Sequence, residues 1–384
     1  IISISIGTAT VSTVVTIQGD GYGAGEPIKI DFGTTQSITE YSADENGWFE
    51  TTFTVDSQAY GNRIIKATGR NTGVDDTKPF FIIGRVYSMT PTTGTVGCMV
   101  TMDADGYGAG EIVFIGMKND STTIELNYSI RKSVNSSSSG TFTAVFTIDV
   151  FPYGTPTIVV EGMSVSIYKT ELPFVIYQDI SLITPIAGPP GTEVTLSGTG
   201  YSLGEQMQIN FGGVNLISTT TSGTTEYGQG GTFTVVFTVP VQNSGTKTII
   251  AYGVVSNGSD TASFLIGPAI DLLPTTGTVG TVVTVNGRGY VPGEQIQIDF
   301  GEFLSVATPT ASPSVGTFST TFTVLIQPGT VTVKATGERF SSASFKMKGK
   351  VTVNPTTGTI GTQMFISGTG FGVSESITLS FGTK

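Results

Sequence analysis

The chain has 384 residues and a net charge of −11, but only 12% of its residues are charged, and it contains one cysteine and no histidine. The few Lys and Arg residues are scattered, which argues against nucleic acid as a partner, because phosphate binding needs clustered basic groups. One cysteine cannot form an intrachain disulfide, and no apolar segment reaches the ~18 residues of a membrane-spanning helix. A hydrophobic fraction of 38% supports packed cores over two to four ordinary domains.

The polar surface of such a chain must come mainly from Thr, Ser, Asn and Gly, as it does in many secreted fibres and surface layers. The sequence begins at Ile1 without a methionine. We expect that a secretion signal has been cleaved from it, and the alternative is a fragment. The predicted location is therefore extracellular, at the cell surface.

An internal repeat runs through the chain, and each copy opens on a glycine-rich turn with an aromatic residue and then an acid. The aligned aromatic residues are Tyr22, Tyr107, Tyr201, Tyr290 and Phe371. The aligned acids are Glu26, Glu111, Glu205, Glu294 and Glu375. Both series have successive spacings of 85, 94, 89 and 81 residues. Because a repeat of this period determines the architecture, the chain is expected to be a series of similar domains.

The segments after each turn have the pattern of half-buried strands. Ile296, Ile298 and Phe300 alternate with polar residues, which is the period of a strand with one buried face. A later Gly-x-Phe block alternates in the same way in all four full copies, over 47–55, 140–148, 231–239 and 316–324. Glycine and proline fall largely between these segments, as turns require. About seven short strands in each ~90-residue unit predict an all-β immunoglobulin-like sandwich.

The entry motif Pro-Thr-Thr-Gly-Thr-Val-Gly-Thr, as it stands over 274–281, is followed by the Gly-x-Gly-Tyr turn and a Phe-Gly pair. This combination resembles the IPT/TIG class of immunoglobulin-like domains and related sandwich repeats of bacterial and archaeal surface, S-layer or filament proteins. The resemblance covers nearly the whole chain, once per repeat, although the first copy lacks the Pro-Thr-Thr-Gly entry. It implies a β-sandwich fold, whereas function varies widely among proteins with such modules.

The predicted repeats span 1–84, 85–177, 178–267, 268–347 and 348–384. Only a few residues separate each closing strand from the next entry strand, and flexible linkers need longer Gly/Ser tracts. We therefore predict a stiff, elongated rod. Repeat five stops after about its third strand, which exposes a core face. Either the chain continues, or another subunit supplies the missing strands.

The repeated acid raises the question of a calcium site, because calcium takes six to eight oxygen ligands. The best candidates are Asp103, Asp105 and Glu111, where three acids lie close in sequence. However, Glu205 and Glu375 lack acidic neighbours, so the shared role is expected to be structural, with the carboxylate accepting backbone N–H groups of the turn. No other cofactor is expected.

The recurring aromatic residue is expected to anchor the core, and the alternative is a carbohydrate platform. The single tryptophan, Trp48, is weak evidence for sugar binding by itself. Asn-x-Ser/Thr sequons, which predict glycosylation in a secreted chain, occur at Asn119, Asn127, Asn135 and Asn257.

No histidine is available to activate a Ser or Cys nucleophile, so we predict that the chain is not an enzyme. The predicted function is a structural subunit of an extracellular filament or surface layer, with copies of the same chain, as a homopolymer or lattice, as the main partner. The alternatives are the rigid stalk of a larger adhesin and a carbohydrate-binding accessory module that takes glycans as partners.

Overall fold

The computed structural model describes residues 1–118, 129–163, 169–223 and 230–382. These residues form strands, turns and loops, and none belongs to a helix, so none belongs to a helix that could cross a membrane. The strands assemble into small sheets, each of which lies within one of the five predicted intervals. The prediction of an all-β chain of tandem immunoglobulin-like sandwiches is confirmed.

Repeat one shows the arrangement that the other complete repeats follow. Its strands are β1 (Ile2–Ile4), β2 (Thr8–Ala9), β3 (Val14–Gly19), β4 (Pro27–Phe32), β5 (Thr35–Ser42), β6 (Phe49–Thr54), β7 (Gly61–Gly69) and β8 (Asp75–Ile82). The sheet that contains the first strand, in the order β1-β3-β6, is here called the entry sheet. The other sheet, in the order β2-β8-β7-β4-β5, is called the opposite sheet.

Repeats three and four contain the same two sheets, with one further two-residue strand on the entry sheet of repeat three, whereas the short parallel strand pair of repeat two forms a separate third sheet. The strands of repeat two are β9 (Arg85–Thr90), β10 (Thr93–Gly94), β11 (Met99–Asp105), β12 (Ile112–Lys118), β13 (Ser129–Asn135), β14 (Phe142–Thr147), β15 (Thr157–Gly162), β16 (Lys169–Pro173) and β17 (Val175–Ile176). Those of repeat three are β18 (Asp179–Thr184), β19 (Ala187–Gly188), β20 (Glu193–Thr199), β21 (Gln206–Phe211), β22 (Val214–Thr220), β23 (Ser222–Gly223), β24 (Gly230–Thr238), β25 (Gly245–Gly253) and β26 (Ser259–Ile266). Those of repeat four are β27 (Ala269–Leu273), β28 (Thr276–Gly277), β29 (Val282–Arg288), β30 (Gln297–Phe300), β31 (Phe303–Ala307), β32 (Phe318–Thr323), β33 (Thr330–Thr336) and β34 (Phe340–Met347).

The chain changes sheets just after each entry strand. In repeat four, β27 pairs antiparallel with β29, and two residues beyond it β28 pairs parallel with the closing strand β34. The same parallel pairing of a two-residue strand recurs as β2 with β8, β10 with β17 and β19 with β26. This pairing joins the start of each repeat to its last strand, so each repeat forms its sheets from its own residues.

The core lies between the two sheets and is built from alternate residues of their strands. In β4, Ile28, Ile30 and Phe32 are fully buried while Lys29 and Asp31 point outward, as period two requires. Burying each such side chain contributes about 1.5–3 kcal/mol. Phe32 packs edge-to-face on Phe80 of the closing strand, with ring centroids 5.4 Å apart. Equivalent aromatic pairs, Phe211–Phe264 and Phe300–Phe345, fill the same place in repeats three and four.

Repeat five differs from the others. It contains β35 (Lys350–Asn354) and β36 (Phe365–Thr369), paired with each other, and residues 370–382 contain no strand. The alternating segment Ile377–Phe381 was expected to be a third strand. Its counterpart β30 is held between β31 and β33, and 370–382 has no such neighbours. Phe381 is consequently 82% exposed, whereas the aligned Phe300 is fully buried.

The molecule is elongated. Its accessible surface is 19576 Å², whereas a compact monomer of 40.0 kDa exposes about 14,400 Å². The excess agrees with domains that follow one another along the chain and share no sheet.

Candidate functional site at the turns and joints

The aromatic residue of the glycine-rich turn is a core anchor in each complete repeat. Tyr22, Tyr107, Tyr201 and Tyr290 are all buried. Each ring packs edge-to-face on the Phe of the later Gly-x-Phe block, with centroids 5.1–5.4 Å apart. Each hydroxyl donates a hydrogen bond, for example from Tyr201 to the carbonyl of Ala251 at 3.2 Å. Burial raises the pKa of Tyr22 and Tyr107 to about 12, so these hydroxyls stay neutral donors. The prediction that this residue packs in the core is confirmed.

The recurring glutamate closes the turn by accepting main-chain hydrogen bonds. Glu26 is 1% exposed and accepts the N–H of Gly23 at 2.5 Å. Its second oxygen accepts the N–H groups of Asn71 and Thr72, both at 3.0 Å. Those donors lie in the loop between β7 and β8, about 45 residues further along the chain. The carboxylate therefore binds two loops of the same domain together, which goes beyond the local role predicted from the sequence.

Repeats three and four use the same arrangement. Glu205 accepts the N–H of Ser202 at 2.5 Å and those of Val255 and Ser256 at 2.9 Å. Glu294 accepts N–H groups of Val291 and Glu338, both at 2.6 Å. The acid thus persists in copies without acidic neighbours because its partners are amides rather than a cation.

The electrostatics of Glu26 follow from this geometry. Burial disfavours the ionised carboxylate, but the donors from Gly23, Thr72 and Asn71 outweigh that penalty and lower the pKa of Glu26 to about 2. A carboxylate that accepts several backbone N–H bonds is held in its charged form. The carboxylate of Glu26 is therefore ionised throughout the neutral pH range, and it accepts these hydrogen bonds as an anion.

A glycine at the end of the penultimate long strand makes room for each carboxylate. A Cβ atom on Gly69, Gly253 or Gly337 would lie 2.3–2.7 Å from oxygens of Glu26, Glu205 or Glu294. No side chain fits at that distance from a carboxylate. The glutamate and this glycine are hence one structural unit, although the sequence places them in different motifs.

The same turn also forms the contact between consecutive repeats. The N–H of Tyr60 in repeat one donates to the carbonyl of Tyr107 in repeat two at 2.8 Å. At the next two joints, the N–H of Tyr153 donates to the carbonyl of Tyr201 at 3.3 Å, and that of Ser244 to Tyr290 at 3.4 Å. The recurring aromatic residue therefore fixes its own core with its ring and holds the preceding repeat with its carbonyl.

Two of the joints carry an additional arginine contact. Arg85 forms an ion pair with Asp105 at 3.0 Å and donates to the hydroxyl of Ser12 in repeat one at 2.9 Å. Arg288 pairs with Asp271 and donates to the carbonyl of Pro190 in repeat three at 2.9 Å. Both arginines thus reach the loop that follows the short parallel strand of the preceding repeat.

The joint between repeats two and three lacks this contact in the part of the chain that the structure describes. Thr199 stands at the position of Arg288, and its hydroxyl has no hydrogen-bond partner among the described residues. The side-chain amide nitrogen of Gln178, in the same joint, is also buried, and no described residue bonds to it. Among the described residues, this joint is therefore held by the main-chain bond from Tyr153 to Tyr201 and by packing.

The three predicted calcium ligands are not brought together as one cluster. Asp103 accepts the hydroxyl of Thr143 at 2.6 Å. Asp105 is buried against Arg85, and Glu111 accepts the N–H of Gly108. No group of three or more acidic or cysteine side chains that could hold a metal ion occurs within the described ranges. Calcium binding here remains a prediction without a formed site.

The predicted glycosylation sites fall in two groups. Asn119 and Asn127 lie outside the described residues. Asn135, at the end of β13, and Asn257, in a tight turn with φ of 52°, are exposed. The hydroxyl of Tyr252 donates to Oδ1 of Asn257 at 2.7 Å, so this bond does not involve the amide nitrogen, which is the atom that would carry a glycan. Both remain predictions.

A recurring glutamine was not predicted from the sequence. Gln58, Gln242 and Gln327 each follow the last buried residue of the Gly-x-Phe block by three positions. Their side-chain amides donate to the carbonyls of Phe32, Phe211 and Phe300 at 2.9–3.4 Å. The recurrence of this glutamine is hard to see in the sequence, because repeat two has the buried Phe151 at the same position.

Comparisons with known proteins give structural likenesses alone. No family model and no curated protein matches the sequence, so the similarity to IPT/TIG domains rests on the motif. The chain is similar to invasin, a bacterial integrin-binding protein, at 13% identity over 93% of this chain and 81% of that one, with a TM-score of 0.23. It is also similar to the ICAM-5 D1–D4 ectodomain fragment (11% identity, 90% and 99% covered, TM-score 0.22). The titin I9–I11 tandem is a third (11% identity, 69% and 99% covered, TM-score 0.19). TM-scores this low carry no argument about function.

Proposed function

We propose that this chain is a non-catalytic structural subunit of an extracellular filament or surface layer, held together by contacts between the sandwich domains of neighbouring copies. The observation that carries the proposal is the repeated joint. The same main-chain hydrogen bond links repeat one to two, two to three and three to four. A main-chain contact that recurs at equivalent positions of three joints favours a regular arrangement of the domains, which a periodic assembly requires.

The composition supports the same proposal. The elongated surface is poor in charge, and weak charge repulsion lets neutral β surfaces approach one another. The recurring glutamates accept main-chain hydrogen bonds within their own repeats, so their role is structural. An acidic, hydroxyl-rich surface with exposed sequons at Asn135 and Asn257 fits a secreted chain.

Electron microscopy of the native protein, with no ligand added, tests this proposal. We expect ordered fibres or a lattice whose repeat is comparable to the length of the molecule. Isolated rods over a wide range of protein concentration would contradict self-assembly. They would favour the second candidate, the rigid stalk of a larger adhesin, which the regular joints support equally well.

A third candidate, a carbohydrate-binding module, is supported by one observation. Trp48, directly before β6, is 44% exposed, and exposed aromatic rings can stack on sugars. A glycan array tests it, with Trp48→Ala as the matched control. Saturable binding by the wild type that the variant loses would favour this candidate over assembly.

A further inference from the structure

A buried carboxamide in repeat one lies against a carboxylate that also contacts a hydroxyl group. Gln58 is 4% exposed. Its amide nitrogen donates to the carbonyl of Phe32 at 2.9 Å and to Oδ1 of Asp56 at 2.8 Å. The other oxygen of the same carboxylate, Oδ2, accepts the hydroxyl of Thr35. One aspartate therefore joins a hydroxyl oxygen and the nitrogen of a carboxamide.

The carbonyl oxygen of Gln58 is held by two donors. The N–H of Thr34 donates to Oε1 at 3.2 Å, and Nε of Arg63 donates to it at 3.0 Å. A cation and a main-chain N–H that point at a carbonyl oxygen stabilise the negative charge that this oxygen acquires when a nucleophile adds to the carbon. Gly33 allows the close approach, because a Cβ atom there would lie 2.1 Å from the same oxygen. The surroundings of the carboxamide therefore favour nucleophilic attack on its carbon.

Repeats three and four share the glutamine but lack the groups around it. Gln242 and Gln327 donate to strand carbonyls as Gln58 does, so that bond accounts for a structural role of the glutamine. None of the positions aligned with Thr35, Asp56 and Arg63 carries a hydroxyl, a carboxylate or a guanidinium group. They are Val214, Pro240 and Lys247 in repeat three, and Phe303, Leu325 and Val331 in repeat four. The additional groups of repeat one therefore need a separate explanation.

We propose that Thr35 and Gln58 form an intramolecular ester cross-link. The hydroxyl oxygen of Thr35 attacks Cδ of Gln58, and Asp56 accepts the hydroxyl proton as general base. The new Oγ1–Cδ bond replaces the Cδ–Nε2 bond. The carboxyl group of Asp56 passes the proton to Nε2, which leaves as ammonia. The step needs no oxidant and no second reactant, and an aspartate serves as the base in a chain that has no histidine.

Both reacting groups are positioned before the bond forms. They lie against the two oxygens of one carboxylate, and the carboxamide is fixed by four hydrogen bonds. Acyl transfer requires the hydroxyl oxygen to approach the carbon to about 3–3.5 Å, and such preorganisation lowers the barrier. Because Gln58 is almost fully buried, water is excluded from its carbonyl carbon, which favours the hydroxyl of Thr35 over hydrolysis.

The cross-link joins the two sheets of repeat one beside the first joint. Thr35 begins β5 of the opposite sheet, and Gln58 follows β6 of the entry sheet. A covalent bond between residues far apart in the chain restricts the unfolded state and so stabilises the folded domain. Tyr60, two residues beyond Gln58, donates to the carbonyl of Tyr107 in repeat two. The bond therefore anchors the loop that contacts the next repeat, and this inference does not depend on self-assembly.

Intact-mass spectrometry of the full chain, purified from a bacterial host that adds no glycans, tests this proposal. We expect the wild type to be lighter than its sequence mass by one molecule of ammonia. Thr35→Val lacks the nucleophile but keeps the shape of the side chain, so it should have its full sequence mass. Asp56→Asn lacks the base and should also retain its ammonia. Thr35→Ser keeps a hydroxyl and should lose ammonia as the wild type does, and so should Gln242→Ala, the matched control in repeat three.

Peptide mapping of the wild type locates the bond even if a variant does not fold. Digestion after glutamate cuts the chain between the two residues, at Glu40, Glu45 and Glu50. The peptides that contain Thr35 and Gln58 should nevertheless remain joined, and they should separate in mild alkali, which hydrolyses esters far faster than amides.

Two results would overturn the proposal. A wild type with its full sequence mass would show that Gln58 is a structural residue, as Gln242 is. Ammonia loss that persists in Thr35→Val would show that the reaction occurs elsewhere in the chain. Neither result bears on the proposed self-assembly.

Discussion

At the scale of single residues, the chain stabilises its turns with buried carboxylates rather than with metal ions. Glu26 and Glu205 each join two loops by accepting main-chain N–H groups. Hydrogen bonds to a charged acceptor are stronger than neutral ones, and the matching glycine allows the carboxylate to approach the strand. An ionised side chain can therefore be buried at a domain end without a cation beside it.

The Glu26→Gln substitution tests this role. It removes the charge but keeps the size, so we expect a lower melting temperature at pH 7. Because the folded state lowers the pKa of Glu26 from 4.5 to about 2, its stabilisation is fully present above about pH 4.5. It is lost as the pH falls towards 2. The difference in melting temperature between wild type and variant should accordingly shrink across this window.

Thermal unfolding followed by circular dichroism between pH 7 and 2 measures the effect. Glu45→Gln, in an exposed loop of the same repeat, is the control. It should change neither the melting temperature at pH 7 nor the dependence of the melting temperature on pH. The low pKa values of Asp44 and Asp76 act in both proteins and cancel in the difference. A difference that is independent of pH would show that the charge of Glu26 contributes nothing.

At the scale of elements, the turn and the Gly-x-Phe strand depend on each other. Gly231 has φ of +73°, and a Cβ atom there would lie 1.7 Å from the carbonyl oxygen of Tyr201. The N–H of Tyr201 in turn donates to the carbonyl of Gly231 at 3.0 Å. Gly47, Gly140 and Gly316 face their own tyrosines in the same way. The glycine that opens the block is thus required by a residue about 30 positions earlier.

The Gly231→Ala substitution should destabilise repeat three by more than about 1–2 kcal/mol, the cost of a left-handed alanine, because a steric clash adds to it. Gly204→Ala is the matched control. Gly204 has φ of +68°, and a Cβ atom there would have no other atom within 4 Å, so this substitution incurs the conformational cost alone. Urea unfolding of both variants measures the difference. Equal destabilisation would contradict the steric argument.

The sequence predicts those elements that depend on neighbouring residues, and it does not predict contacts between residues far apart in the chain. The alternation of Ile296, Ile298 and Phe300 predicted a buried strand, and the burial of Ile298 and Phe300 confirms it. Two-residue strands such as β2 are too short to show a period, so the change of sheet could not be foreseen. The contact from Glu26 to Thr72 depends on the folded position of two loops, which spacing does not reveal.

At the scale of the whole molecule, the joints differ in strength. Those between repeats one and two and between three and four combine a main-chain bond with an arginine contact. The joint between repeats two and three has Thr199 and Gln178 where polar groups are buried without partners. The stiffness predicted from the short joints should therefore be uneven, with most bending between repeats two and three.

Electron paramagnetic resonance distances between spin labels, in a Cys98→Ser background, test whether an arginine contact stiffens a joint. Labels at Gln208 and Leu304, across the joint of repeats three and four, should give a narrow distribution in the wild type. Arg288→Ala should broaden it, because the contact with the carbonyl of Pro190 is lost. Lys334→Ala, whose ammonium lies over Phe340 within repeat four, is the control and should leave the width unchanged. An unaltered width in Arg288→Ala would show that the main-chain bond alone fixes the joint.

A joint built from main-chain atoms also affects how such a chain can change over generations. The donor N–H belongs to Tyr60, Tyr153 and Ser244 in turn, so the identity of the donor side chain is not constrained by the bond. Mutations can accumulate on the surfaces of each domain while the connection persists. Whole units can then be duplicated or lost without redesign of their neighbours, and the length of the molecule can vary in steps of one domain.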